Sequence, residues 1–154
     1  MNTYEALLEE AYKNGLTVKE KPLQSSDGRI RGRKIAIRKD IDTNKKKACV
    51  LAEEIGHFHT GVGDIINQED VDACKQEHKG RLWAYNKQIG LRGLISAFEY
   101  GCQNWNEVAE YLDVTEEFLH DCISCYCNKY GAGKIVDNYY VMFIPHFAVG
   151  RIIN

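Results

Sequence analysis

No stretch of this chain approaches the roughly 18 consecutive apolar residues of a membrane span, so no membrane partner is expected. The first ten residues lack the basic start and apolar centre of a secretory leader, which points to a cytoplasmic location. No internal repeat or low-complexity linker interrupts the 154 residues. They are expected to form a single domain, 1–154, with a helical C-terminal subregion at 91–130. Charge of one sign is also missing overall: 20 Lys and Arg stand against 22 Asp and Glu, for a net charge of −2. That balance gives no global pull toward nucleic acid.

A local absence is more telling. Between Gly93 and Asn128 there is no Lys or Arg, while Glu99, Glu107, Glu110, Asp113, Glu116, Glu117 and Asp121 all fall there. The stretch from Asn106 to Leu119 has the rhythm of a helix-turn-helix. A DNA reader needs cations to meet phosphates. The expectation is a structural helical hairpin or a protein-docking surface, with no direct nucleic acid binding.

Disulfides are not expected in a reducing compartment, although six cysteines are present. Cys122-x-x-Cys125-x-Cys127 has no second ligand pair and sits in a helical pattern. These residues are expected to be buried, inert thiols, and no structural zinc site is assigned to them.

The pattern predicts a helix over about residues 2–14, stopped by Asn14-Gly15. A short extended segment follows from Leu16. After the turn signal Ser25-Ser26-Asp27-Gly28, one strand is predicted from Arg29 to Arg38, making a β-hairpin with it. Helices are predicted at about 43–58, 69–88, 91–100, 104–112 and 115–129, then a strand from Tyr139 to Ile144. The early and late strands are expected to join one small sheet. The class is α+β, mostly helical.

Positive charge gathers at Arg29, Arg31, Arg33, Lys34, Arg38, Lys39 and Lys45 to Lys47. The plain reading is a solvated face that discourages edge pairing. The functional alternatives are docking of an acidic partner and capture of a peptide by strand addition.

The residues with the sharpest chemistry are Glu53-Glu54-Ile55-Gly56-His57, inside the apolar run from Ala48. They read as the H-E-x-x-H helix of a zinc peptidase with Glu in place of the first His. Residues i and i+4 share a helix face, so Glu53 and His57 can hold one ion. Glu54 would be the base that activates a water molecule. A third ligand must come from elsewhere: His59, Asp64, Glu69, Asp70, Asp72, Glu77 or His78. Glu77 is preferred, because Gly80, Trp83 and Ala84 give its helix a face that can pack on the motif helix. His78 is a possible outer partner. Two carboxylates and one His can hold zinc but are poorer for it than two His and one carboxylate, and they lean towards harder ions such as Mn²⁺. Tyr85, Tyr139 and Tyr140 are candidates for oxyanion stabilisation.

Leu51-Ala52-Glu53-Glu54-Ile55-Gly56-His57, with Gly61 and Asp64 after it, resembles the ImmA/IrrE family of metallopeptidases. In particular it looks like that family's phage and mobile-element branch from Gram-positive bacteria. Glu77, Gly80, Trp83 and Ala84 match the family's Glu-ligand helix, and Glu107 to Leu119 looks like its C-terminal helical hairpin. The resemblance implies a zincin-like metal helix and a zinc-dependent endopeptidase that cleaves a helix-turn-helix repressor. It carries His57 and Glu77 over as ligands and Glu54 as base, with Glu53 at the first-ligand position. The alternative is a catalytically weak or inactive relative that binds the repressor without cutting it.

Overall fold

The computed structural model of the chain describes residues 1–61 and 74–153, and the backbone of 70–73 as well. Among the described residues the class is α+β, and the chain divides into two compact units, 1–84 and 85–154.

The first unit opens with α1 (Thr3–Lys13). Asn2 caps it by accepting a hydrogen bond from the Glu5 backbone at 2.8 Å, and the Glu5 carboxylate accepts one from Asn2 N–H at 3.2 Å. Two of the helix's unpaired donors are thereby satisfied. Three strands follow: β1 (Thr17–Lys21), β2 (Gly28–Arg31) and β3 (Lys34–Arg38). The sheet order is β1-β3-β2. β3 is central, parallel to β1 and antiparallel to β2.

This corrects the expectation of one strand from Arg29 to Arg38. The run is a β2–β3 hairpin folded at Gly32, whose φ of +58° is open to glycine at little cost. Side-chain parity explains the break. Ile30 lies opposite Ile35 across the hairpin, so both point to the same face although their numbers differ by an odd step.

One face of the sheet lies on α1 and α2 (Asn44–His59). Ile35, Ile37, Leu51, Ala52 and Ile55 form the core there. Glu20 ties the elements together. It accepts from Tyr4 OH at 3.0 Å and from Lys47 Nζ at 2.8 Å. The Lys47 hydrogen bond holds its carboxyl below the usual range, against a smaller opposing effect of burial. α3 (Asp70–Gln88) begins in this unit and runs past its boundary at Ala84.

The second unit holds α4 (Gly90–Tyr100), α5 (Trp105–Leu112) and α6 (Glu116–Tyr130). Side-chain caps set two of the starts. Asn104 accepts from Glu107 N at 2.8 Å, and Thr115 accepts from Phe118 N at 3.0 Å. Asp113, at φ +55°, ends α5, and Val114 between the two helices is buried. Leu94, Leu119, Cys122 and Tyr126 make the core. Three antiparallel strands complete the unit: β4 (Gly133–Val136), β5 (Tyr139–Met142) and β6 (Ala148–Arg151).

The early and late strands therefore form two separate sheets, correcting the expectation of one. The late strands are paired by their own hairpin contacts and need no partner from β1 to β3. Cys122 and Cys125 are buried, as expected, and burial raises both thiols, whereas Cys127 is only half-buried, which corrects the expectation for it. Among the described residues no helix is long and apolar enough to cross a membrane.

Candidate metal centre

α2 starts where the cap signal places it: the Thr43 side chain accepts from Lys46 N at 3.1 Å. Three turns later the helix turns Glu54 and His57 into the interior, where they are 8% and 5% exposed. Thiols and phenols aside, these are the ionisable side chains that are buried among the described residues. Burying such groups costs several kcal/mol unless they are paired, roughly 2–7 even for a neutral polar group. The core alone gives no reason to place them there.

Two glycine contacts make the arrangement possible. Gly28, at the start of β2, lies so close to α2 that a Cβ there would stand 2.7 Å from Val50 Cγ1 and 3.3 Å from Glu54 Cγ. Gly56 and Gly80 let α2 and α3 meet backbone to backbone. A Cβ on Gly56 would collide with the Gly80 carbonyl, and one on Gly80 would collide with the His57 ring. This close crossing brings Glu77, one turn before Gly80, to α2.

His57 Nε2 lies 3.3 Å from Glu77 Oε2 and 3.9 Å from Glu54 Oε1. Glu77 Oε1 is also 3.2 Å from Arg81 Nε, one turn on. The Glu54 carboxyl is pushed up to about 7, mainly by burial; the His57 charge pulls the other way, and those of Glu77 and Glu53 add to the rise. For His57, burial alone would lower the value. The hydrogen bond to Glu77 and the charges of Glu77, Glu54 and Glu53 outweigh it, and the imidazole is raised. Glu77 is lowered, first by its bond to His57 and then by the charges of His57 and Arg81, against a smaller effect of burial.

The donor set fits a divalent ion in part. Two ligand atoms on a tetrahedral ion with ~2.0–2.1 Å bonds stand ~3.3 Å apart, which is the separation of His57 Nε2 and Glu77 Oε2. Glu54 Oε2 beside them is buried with no hydrogen-bond partner among the described residues, as is His57 Nδ1. An unpartnered carboxylate oxygen next to converging ligands is what a base for water requires. The Nδ1 atom departs from the usual pattern, in which a ligating histidine donates its second N–H. Glu53 is close enough for its charge to act on both Glu54 and His57. Even so, no three His, Cys, Asp or Glu side chains form a metal-holding group among the described residues.

The other ligand candidates fall elsewhere. The His59 ring stacks on Trp83, with centroids 4.8 Å apart, and His78 is exposed. Asp64 and Glu69 lie outside the described residues, as do the side chains of Asp70 and Asp72. Tyr85 is spent on packing. It is buried in the second unit, edge-on to Phe118 at 5.0 Å. The Tyr139 hydroxyl accepts from Arg151 at 3.2 Å. Arg81 escaped the sequence reading, although its i,i+4 spacing from Glu77 is a sufficient signal. Compared with known proteins, the chain matches no family model, no curated protein and no solved structure.

Proposed function

We propose that this chain is a metal-dependent endopeptidase of the ImmA/IrrE type, acting in the cytoplasm on a helix-turn-helix repressor of a phage or mobile element. The observation that carries the reading is a buried carboxyl at about 7, Glu54, beside the converging His57 and Glu77 atoms. His57 and Glu77 would hold the ion, Zn²⁺ or a harder ion such as Mn²⁺, with Glu53 completing the set from one turn earlier on α2. Bound there, the ion supplies Lewis acidity toward a peptide carbonyl and a water molecule. Glu54 Oε2 accepts a proton from the attacking water and returns it to the leaving amine, so Glu54 ends as it began. A carboxyl that titrates near neutrality suits both transfers. The repressor as substrate rests on the family resemblance. It is supported by charge: residues 94–127 carry no cation and suit a basic DNA-binding face.

The second reading is a binder that holds the repressor without cutting it. The observation in its favour is the lack of a three-residue metal-holding group among the described residues. Zinc titration of the purified protein separates the two. The peptidase takes up about one equivalent, and His57→Ala and Glu77→Ala lose it. A wild type that takes up no zinc sinks the peptidase reading and leaves the binder.

A further inference from the structure

The sheet of the first unit has two unlike faces. Val18, Glu20, Ile35 and Ile37 alternate onto the face toward α1 and α2, where Glu20 meets Tyr4 and Lys47. The intervening positions make the other face. Register places Lys19, Ala36 and Arg29 in one cross-strand row, and Thr17, Lys34 and Arg31 in the next. This face lines an open groove of about 280 Å³ bounded by Lys19, Lys21, Arg29, Arg31 and Lys34. All five cations are exposed, no carboxylate lines the groove, and none of the five forms an ion pair among the described residues. Arg38 shares the face but is committed to Asp27 and Asp40.

We infer that this face binds the phosphate backbone of duplex DNA, without sequence preference. The cations stand in two rows. Lys19 and Lys21 on one edge strand, and Arg29 and Arg31 on the other, are each ~6.6–6.8 Å apart along the strand, and the rows are ~10 Å apart across the sheet. Two rows suit the two strands flanking a groove better than one line of phosphates. No aromatic side chain lines the face, so it offers nothing for unstacked bases to stack on. The apolar residues of its lining are Ile35 and Ala36, both buried, so it presents no large exposed apolar side chain to a protein partner. Arg presents a fork that matches phosphate oxygens. The near-neutral net charge conceals this segregation, and the inference departs from the expectation that the chain has no direct nucleic acid binding. The inference does not depend on the metal centre.

The test is fluorescence anisotropy with two labelled 20-base-pair duplexes of unrelated sequence, beside labelled polyglutamate. Both duplexes should bind equally. Five phosphate contacts give a salt slope of about −4.5, so raising salt from 50 to 200 mM weakens binding about 500-fold. The triple variant Lys19→Gln, Arg29→Gln, Arg31→Gln should lose at least tenfold in affinity, and its salt effect should fall to about tenfold. The variant Lys13→Gln, Lys75→Gln, Lys134→Gln removes the same charge elsewhere and should bind as wild type does. Thermal melts confirm that these surface variants fold. No saturable binding at 50 mM salt overturns the inference, as does equal loss in both variants. Polyglutamate binding as tightly as the duplex also overturns it, and assigns the face to an acidic protein segment.

Discussion

The two units bury different chemistry. The interior of the second holds Leu119, Cys122 and Tyr126, all neutral at pH 7; burial pushes the Cys122 thiol and the Tyr126 phenol up, away from ionisation. The interior of the first holds Glu54, its carboxyl pushed up to about 7 mainly by burial, and His57, which burial would lower but which its hydrogen bond to Glu77 and the nearby carboxylates raise. The second unit behaves as a core optimised for its own packing. The first places two ionisable groups inside its core, and the proposed function rests on that pair.

The largest expected effect sharpens that difference from the stable side. Tyr126 is fully buried, and its hydroxyl donates to Asn86 Oδ1 at 2.7 Å. Tyr126→Ala leaves a large cavity and removes the hydrogen bond to Asn86, and should cost about 3–5 kcal/mol in a denaturant titration. Zinc uptake by the folded fraction should be unchanged. Loss of zinc in the folded variant would break the division of labour between the units.

In the metal-free protein Glu54 makes the first unit sensitive to pH. Its folded carboxyl titrates at about 7, above an unfolded value of 4.5. The folded state therefore holds the proton more tightly, and stability falls as pH rises from 4.5 toward 7. The integrated loss is about 3 kcal/mol. His57, raised on folding, adds a loss as pH rises through its folded value; Glu77, lowered on folding, adds one as pH falls through its own. Subtracting the Glu54→Gln profile from wild type, with chelator present, isolates Glu54. A flat difference curve would mean that Glu54 is not buried as described. The same variant should bind zinc yet lose ~10²–10⁴-fold in repressor cleavage.

How much of this was legible beforehand differs between helices and sheet. Thr43 and Thr115 mark helix starts through their own side chains, and Gly131, at φ +78°, marks an end, so α2 and α6 fall close to their expected bounds. The parallel pairing of β1 with β3 has no local signal, because it depends on a chain crossing by way of β2. The hairpin did have one. Ile30 and Ile35 cannot share a face on a continuous strand, and Gly32 lies between them. At the site, the i,i+3 and i,i+4 relations of Glu53, Glu54 and His57 come from helix geometry. The approach of Glu77 was readable through small residues, since Gly80 and Ala84 are both buried. That His57 Nδ1 has no partner among the described residues was not readable, because it depends on which backbone the ring meets.

Gly80→Ala tests that approach. The added methyl meets the His57 ring, and the overpacking should cost about 1–3 kcal/mol. Relief requires α3 to move away, which carries Glu77 from His57 and should lower zinc affinity by more than tenfold. Gly131→Ala is a control in the second unit. At φ +78° and ψ −138°, a conformation that is essentially glycine's alone, with open space around its Cβ position, it should cost about 1–3 kcal/mol and leave zinc affinity unchanged. If Gly80→Ala keeps full affinity, the Gly56–Gly80 crossing does not position Glu77.

The smallest effect compares the caps of the two units directly. Thr43 and Thr115 each satisfy one backbone donor at a helix start, so Thr43→Ala and Thr115→Ala should each cost about 1 kcal/mol. The two helices differ in cargo. α2 carries the site at its C-terminal end, ten residues beyond the Thr43 cap, whereas fraying after loss of a cap is confined to about the first turn. Ala48, Leu51, Ala52 and Ile55 are fully buried between the cap and His57 and hold the intervening turns. Thr43→Ala should therefore lower stability without changing zinc affinity, matching Thr115→Ala in both readouts. A drop in zinc affinity for Thr43→Ala alone would mean that α2 moves as one rigid rod, with its orientation set at the N-terminus and not by the glycine crossing at its far end.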